Sequence, residues 1–247
     1  MELTDLKPIQ NESALLIESK RLLVIADLHI GIESELRGNG LSVTSQISKM
    51  VDRLTKICKE HNPKEIVLLG DVKHNIPSST ISEKKYVTKF LDSIKEFGLI
   101  HIIPGNHDGN IQDFISDGII LHQSDGLKIR NIGFVHGHKW PSKDILQTKH
   151  IIMAHTHPTI RLTDRLKHMN FEPCWIKAKF LKDKLEEKYP ESANPEVLIM
   201  PAFNPLCGGI AVNKDGITGP LGKLINIYNS QIYLLDGTYL GKVKNIR

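Results

Sequence analysis

Leu22-Leu23-Val24-Ile25-Ala26-Asp27-Leu28-His29 is an apolar run that stops at a carboxylate and, two residues later, an imidazole. The same event recurs along the chain. Ile66-Val67-Leu68-Leu69 leads into Gly70-Asp71, and Leu99-Ile100-His101-Ile102-Ile103 leads into Pro104-Gly105-Asn106. Ile132-Gly133-Phe134-Val135 leads into His136-Gly137-His138, and Ile151-Ile152-Met153-Ala154 leads into His155-Thr156-His157. Between the first three runs the apolar spacing changes to three and four residues, the helical period. Ser45–Glu60 places Ile47, Met50, Val51, Leu54 and Ile57 on one face, and Ser82–Phe97 does so with Tyr86, Val87, Phe90, Leu91 and Ile94 before a C-cap at Gly98. Strands alternating with helices of this size imply βαβ units and a largely parallel sheet in the first half.

After about residue 158 the character shifts. Between Arg161 and Lys188 eight basic residues stand against five acidic ones, with Phe171, Trp175 and Phe180 among them. That surplus reads as a solvated amphipathic helix over 177–189, with a nucleic-acid surface as the alternative. Strand-like pieces follow at 197–200, 224–228 and 232–235, and Asp236-Gly237 reads as a two-residue hairpin turn into a last strand over 239–243. The expectation is one domain over residues 1–247, with a second antiparallel layer late in the chain.

Composition narrows the class. With 40% hydrophobic and 24% charged residues the 247-residue chain is ordinary for a globular protein. No apolar run approaches the ~20 residues of a membrane span. The first five residues lack the pattern of a secretory leader. Three scattered cysteines, Cys58, Cys174 and Cys207, form no CxxC motif and suit a reducing cytoplasm. The net charge of +4 is only a mild lean toward anionic partners, whereas 12 histidines against 2 Trp and 5 Tyr are unusual.

Parallel strands deliver their C-terminal ends to one sheet edge, where open α/β sheets bind ligands. In an extended segment residues i and i+2 point the same way, so Asp27 with His29, and His155 with His157, can each face one ion. With Asp71, Asn106 and His136 the chain offers seven oxygen and nitrogen ligands. That set suits Mn²⁺, Fe or Zn²⁺ better than Mg²⁺ alone. Seven are too many for one four-coordinate ion. They suffice for two ions ~3.5–4 Å apart that share a carboxylate and a bridging hydroxide, the arrangement that hydrolyses phosphoesters by in-line attack. Each motif by itself is an ordinary turn, because Gly and Asn tolerate positive φ. The conjunction of five such ends in one chain is not.

The order Asp27-Leu28-His29, Gly70-Asp71-Val72-Lys73-His74, Gly105-Asn106-His107-Asp108, His136-Gly137-His138 and Ala154-His155-Thr156-His157-Pro158 resembles the calcineurin-like metallophosphoesterases. Pro173-Cys174-Trp175 and Met200-Pro201-Ala202-Phe203-Asn204-Pro205 with Gly208-Gly209 look like one subgroup, the archaeal phosphoesterases related to the nuclease subunit SbcD and the bacterial ligase-associated phosphoesterases. The resemblance implies a four-layer α/β/β/α sandwich with mixed sheets. It implies that Asp27, His29 and His157 hold a first divalent ion, Asp71 bridges, and Asn106, His136 and His155 hold a second. The ions are expected to be Mn²⁺, with Fe, Zn²⁺, Ni²⁺ or Mg²⁺ as alternatives. His107 would stabilise the charged transition state or protonate the leaving oxygen, and Asp108 would orient its imidazole.

Two positions depart from the family pattern. Ala154 stands where glycine is usual, a small-for-small change. Lys73-His74 stands where many family phosphatases carry a phosphate-gripping arginine, and His74 resembles the substrate-positioning histidine of SbcD-type nucleases. His138 is a second helper candidate. The segment 158–208 is expected to flank the site. The resulting expectation is a phosphodiesterase acting on DNA, RNA or nucleotides, with repair helicases or ligases as partners. The competing readings are a phosphomonoesterase, a cyclic-nucleotide phosphodiesterase, and a non-catalytic scaffold; the last predicts missing ligands and a replaced His107.

Overall fold

The computed structural model describes residues 5–76 and 80–246; of the five N-terminal residues that lack a secretory-leader pattern, 1–4 lie outside the described residues. Strands β1 (Leu6–Pro8), β2 (Ala14–Ile17), β3 (Leu22–Ile25), β4 (Glu65–Leu69), β5 (Leu99–Ile103) and β6 (Ile119–Leu121) form one sheet in that spatial order. The pairs from β3 to β6 are parallel, and β1-β2-β3 is an antiparallel meander. A second sheet holds β7 (Leu127–Ile129), β8 (Ile132–Val135), β9 (His150–Met153), β10 (Pro158–Thr163), β11 (Met169–Lys179), β12 (Glu196–Ile199) and β13 (Ile210–Ala211). Its order is β13-β10-β11-β12-β9-β8-β7. The hairpin β14 (Gln231–Leu234) and β15 (Tyr239–Lys242) joins it along β11.

The two sheets pack face to face. Leu15, Ile17, Val24, Val67 and Leu69 from the first meet Phe134, Ile152, Trp175 and Met200 from the second. The outer face of the first sheet is covered by helices that follow α1 (Ile32–Gly38), namely α2 (Ile47–His61) and α3 (Ile81–Ile94). Their buried residues, Ile47, Met50, Leu54 and Ile57 in one and Val87, Phe90, Leu91 and Ile94 in the other, are the stripes the periodicity marks. The outer face of the second sheet is covered by α4 (Lys182–Lys188) through Leu185, together with Ile145, Val212 and Leu221. The architecture is therefore the expected four-layer α/β/β/α sandwich. Among the described residues no helix is long and apolar enough to cross a membrane.

Three expectations for the later half are corrected. The segment 177–189 is not one helix: Lys177 and Lys179 belong to β11, where they alternate with the buried Ile176 and Ala178. Both lysines reach Glu196 on β12, at 3.7 Å each, so part of the basic surplus is internally paired. Residues 224–228 are not a strand. Leu224 and Ile225 pack under the second sheet, with a single bridge from Phe180 to Ile225, and the chain then enters a 3-10 turn over Ile227–Asn229. The Asp236-Gly237 hairpin exists, but its loop closes from the Leu234 N–H to the Thr238 carbonyl and the ladder carries an irregularity at Ile232/Tyr233.

Candidate metal centre

Every strand that ends in a candidate ligand delivers it to one edge of the sandwich. The loop after β3 bonds to the loop after β4 through Asp27 N–H to the Gly70 carbonyl (3.1 Å) and His29 N–H to the Asp71 carbonyl (2.8 Å). The loop after β9 bonds to the loop after β8 through Ala154 N–H to the His136 carbonyl (3.0 Å). Among the described residues four groups of donor atoms lie close together, two of them made of candidate ligands alone: Asp27, His29, Asp71 and His157, and Asp71, His136 and His155; the others are His29, His74 and His107, and His29, His157 and Cys207. Asp71 is common to the first two, the place expected of a bridging carboxylate. The approach is tight enough to require glycine at two neighbours. A Cβ on Gly70 (φ +79) would lie 2.1 Å from His136 Nδ1, and one on Gly105 would lie 2.1 Å from Asp71 Oδ1.

The expected i, i+2 convergence occurs, by a different backbone. Asp27 (φ 55), His29 (φ 40), Asp71 (φ 50), His155 (φ 69) and His157 (φ 45) all adopt left-handed conformations rather than extended ones. Such a conformation costs a non-glycine residue of order 1–3 kcal/mol and persists where the surroundings over-determine it, most often at functional sites.

The donor atoms fit cations. Both oxygens of Asp27 and the Nε2 atoms of His29, His136 and His157 are buried and make no hydrogen bond. They crowd one another instead: His29 Nε2 is 3.4 Å from Asp71 Oδ2, His136 Nε2 is 3.2 Å from the same oxygen, and His157 Nε2 is 3.3 Å from Asp27 Oδ1. Buried polar atoms without partners are costly, and positive charge bound among them would offset that cost. The ring orientations agree. His136 Nδ1 meets the Leu69 carbonyl at 3.1 Å and His157 Nδ1 meets the Gly208 carbonyl at 3.0 Å. A carbonyl only accepts, so each Nδ1 carries hydrogen and each Nε2 is left to bind.

The electrostatics set a pH dependence. Burial pushes the imidazole of His29 down to about 3 and that of His155 down to about 4. At His136 burial also opposes charge, but the Asp71 carboxylate, with Asp27 behind it, lifts the imidazole to about 9. Burial alone would raise Asp71, yet His136 and His29 hold its carboxyl well below the usual range. A cation taking His136 Nε2 therefore displaces a proton at any pH below about 9. Apparent Mn²⁺ affinity is expected to rise about ten-fold per pH unit from neutrality until the pH passes that of His136, then to level off. Calorimetry across that range checks it; a flat affinity would remove His136 from the ligand set.

The remaining candidates fall into place unevenly. Asn106 is exposed in the loop after β5, between Gly105 and His107, and its amide bonds to nothing among the described residues. His107 N–H donates to Asp71 Oδ1 at 2.9 Å, and its ring lies edge-on to His29 with centroids 4.7 Å apart. Its Nδ1 bonds to the carbonyl of His74, which leaves Nε2 for a substrate. Asp108 does not orient that imidazole, as the resemblance had suggested. Its buried carboxylate accepts from the backbone N–H groups of Val72 (2.9 Å), Lys73 (3.1 Å) and Gly105 (2.8 Å), and so ties the loop after β5 to the loop after β4. Asp108→Ala orphans three buried donors and is expected to cost ~2–4 kcal/mol. That corresponds to a Tm lower by roughly 10 °C, read by calorimetry; an unchanged Tm would show that the tie carries no stability.

His74 is held by both ring nitrogens, Nδ1 against His29 and Nε2 against Glu35, which leaves neither for the expected substrate contact. His138 lies on the opposite side, its ring 5.3 Å from that of His136 and 6.2 Å from that of His155. Burial beside those two imidazoles pushes it down to about 4, so it is neutral at physiological pH. His101 is structural, bonded to His122 and Glu65.

Several residues that shape the centre carry little sequence signal. Glu83 on α3 is buried and accepts from the N–H groups of His74 (2.8 Å) and Asn75 (2.7 Å). The Thr80-x-x-Glu83 spacing of a capping box marks it, and Thr80 does cap the helix, but the Glu83 carboxylate bonds to the neighbouring loop as well. Lys73 is fully buried, its Nζ on the Asn75 carbonyl. The 201–208 segment closes the site from the far sheet: Phe203 N–H bonds to the Ala26 carbonyl, Asn204 Nδ2 to the Leu28 carbonyl, and Cys207 Sγ to the Asp27 carbonyl. Arg53 clamps it from α2, stacked 4.3 Å above the Phe203 ring. Cys207 Sγ also lies near His29 and His157. Burial and then the carboxylates of Asp27, Asp71 and Glu33 hold that thiol well above its ordinary range.

A family model described as calcineurin-like phosphoesterase matches residues 20–208, which include every candidate ligand. No curated protein matches the chain. Among solved structures, nuclease MPE from Pseudomonas putida shares 18% identity over 94% of this chain and 92% of its own, with a TM-score of 0.56. Yfce, a phosphoesterase from E. coli, shares 13% identity over 90% of this chain and 97% of its own, with a TM-score of 0.40. At 18% identity the likeness to nuclease MPE is one of fold alone.

Proposed function

The chain belongs to the calcineurin-like phosphoesterases, metal-dependent hydrolases of phosphoester bonds, and from that premise we propose that it cleaves phosphodiesters in nucleic acids or nucleotides with two divalent cations. The observation that carries the two-cation reading is the sharing of Asp71 between two otherwise separate donor groups. Asp27, His29 and His157 would hold one cation and His136 and His155 the other, with Asn106 completing the second. Bound there, the cations would supply Lewis acidity and activate water at neutral pH. The mixed oxygen and imidazole donors suit Mn²⁺, Fe or Zn²⁺ better than Mg²⁺ alone, and the family resemblance puts Mn²⁺ first, with Fe, Zn²⁺, Ni²⁺ and Mg²⁺ as competitors.

The chain's own groups do the rest. Asp71, ionised across the physiological range, supplies negative charge between the two donor groups. His107 offers Nε2 to the leaving oxygen or to the charged phosphorus centre, its ring held by the His74 carbonyl. His138, neutral and beside the second group, is placed to donate to a substrate oxygen. The preference for diesters is supported by the position after the bridging Asp: Lys73 is fully buried and its Nζ is spent on the Asn75 carbonyl, so no cation stands there to grip a terminal phosphate. Three free cysteines support a reducing, cytoplasmic setting. The SbcD-like and ligase-associated motifs support a repair role beside a helicase or ligase.

With Mn²⁺ present, hydrolysis of bis-p-nitrophenyl phosphate is expected to exceed that of p-nitrophenyl phosphate, and chelation should abolish both. A panel of single- and double-stranded DNA, RNA and cyclic nucleotides then assigns the substrate. Preferential turnover of the monoester, or turnover that survives chelation, overturns the proposal.

A further inference from the structure

His136 and His157 are each fixed by a carbonyl on Nδ1, but among the described residues no carbonyl bonds to the His29 ring. Its Nδ1 meets instead the Nδ1 of His74, 3.2 Å away. A contact between two imidazole nitrogens is ambiguous, since either ring can carry the shared hydrogen. Were it on His74, His29 would be protonated on Nε2, the atom that lies 3.4 Å from Asp71 Oδ2 among the cation donors. One more residue removes the ambiguity. Glu35, on α1, places Oε2 2.7 Å from His74 Nε2. A carboxylate accepts, so His74 carries its hydrogen on Nε2 and presents a bare Nδ1. His29 must then donate from Nδ1, which leaves its Nε2 free.

We propose that Glu35 and His74 are positioning residues that set the tautomer of His29 and so prepare its Nε2 for a cation. The backbone of His74 is held for this purpose: its N–H donates to Glu83 Oε1 at 2.8 Å and to the Ile30 carbonyl at 3.1 Å, and its carbonyl bonds to His107 Nδ1. One residue thus orients a cation ligand with its ring and the leaving-group histidine with its carbonyl. Glu35 is more than half exposed, yet its 2.7 Å contact with His74 Nε2 is a hydrogen bond, whereas the opposing Asp71 Oδ2 stands 3.4 Å from His29 Nε2 and makes none. This assignment rests on the reading of His29 as a ligand. It replaces the substrate contact that the resemblance implies for His74.

The test begins on the metal-free protein with ¹⁵N-labelled imidazoles, where two-bond ¹H–¹⁵N spectra report the tautomer of each ring; His29→Asn assigns the signal. The wild type is expected to show His29 as the Nδ1–H form. His74→Leu and Glu35→Ala should shift it toward the Nε2–H form. His74→Asn, whose Oδ1 can still accept from His29 Nδ1, should restore it. Mn²⁺ titrations should show ~10–100-fold weaker binding in His74→Leu and Glu35→Ala, with recovery in His74→Asn. An Nε2–H tautomer in the wild type overturns the proposal. So does an unchanged tautomer in both His74→Leu and Glu35→Ala. If instead the tautomers behave as expected and the wild type binds no cation, the ligand reading fails and the relay stands.

Discussion

Asp71→Asn is expected to lower phosphodiester turnover by more than ~10²-fold and to reduce bound Mn²⁺ in parallel, because removing a group that only orients a ligand already costs 10–100-fold. Asp71 is the one carboxylate in both donor groups, with Oδ2 3.2 Å from His136 Nε2 and 3.4 Å from His29 Nε2. Its Oδ1 is occupied, accepting the His107 N–H. An amide can keep that bond through its own oxygen, but its NH₂ group then faces the donors and removes the negative charge that the proposed cations would share. The substitution also removes the main influence that holds a proton on His136, so the imidazole should titrate lower than about 9. Metal content by elemental analysis and turnover of bis-p-nitrophenyl phosphate check both effects, with a thermal melt as the folding control. Full activity with normal metal content would eliminate the bridging role.

His107→Ala is expected to leave metal content unchanged and to lower kcat by ~10²–10⁴-fold, the span of general acid–base catalysis. The loss should depend on the leaving group. A p-nitrophenolate leaves without a proton, whereas the alkoxide of a nucleoside does not. If His107 Nε2 protonates the leaving oxygen, a dinucleotide should lose far more rate than bis-p-nitrophenyl phosphate. If it stabilises the charged phosphorus centre, both should lose equally. No loss for either substrate would deny His107 a part in catalysis. The His74 carbonyl that orients the ring is backbone, so substitutions of the His74 side chain should leave this leaving-group dependence intact.

The ligand types were readable because each sits where an apolar run ends, and the strand ends were readable because burial forces the runs to be apolar. Helices α2 and α3 were readable for the same reason, through one buried face each. Residues 177–189 misled because charge spacing alone does not separate a helix from a strand whose alternate residues are buried; Lys177 and Lys179 are carried on β11. The two β1–β2 strands at the start, three and four residues long, are too short to announce themselves. Asp108 bonds to backbone N–H groups and not to the imidazole that the resemblance implies. Its neighbours in sequence suggest an imidazole, while the acceptor-poor backbone of Val72, Lys73 and Gly105 claims it in space.

The order of Asp, His and Asn after successive apolar runs was enough to specify phosphorus chemistry at a sheet edge, because strand direction and burial are local consequences of residue type. What local pattern could not contain was how Asp27, His29, Asp71, His136, His155 and His157 meet. Five of the candidate ligands depend on left-handed backbone that no periodicity encodes. The tautomers of His136 and His157 depend on carbonyls 67 and 51 residues away. The orientation of His29 depends on Glu35 and His74, joined only when α1 and the loop after β4 fold together. A hydrogen bond selects its partner by distance and direction, and those exist only once the sheets have packed.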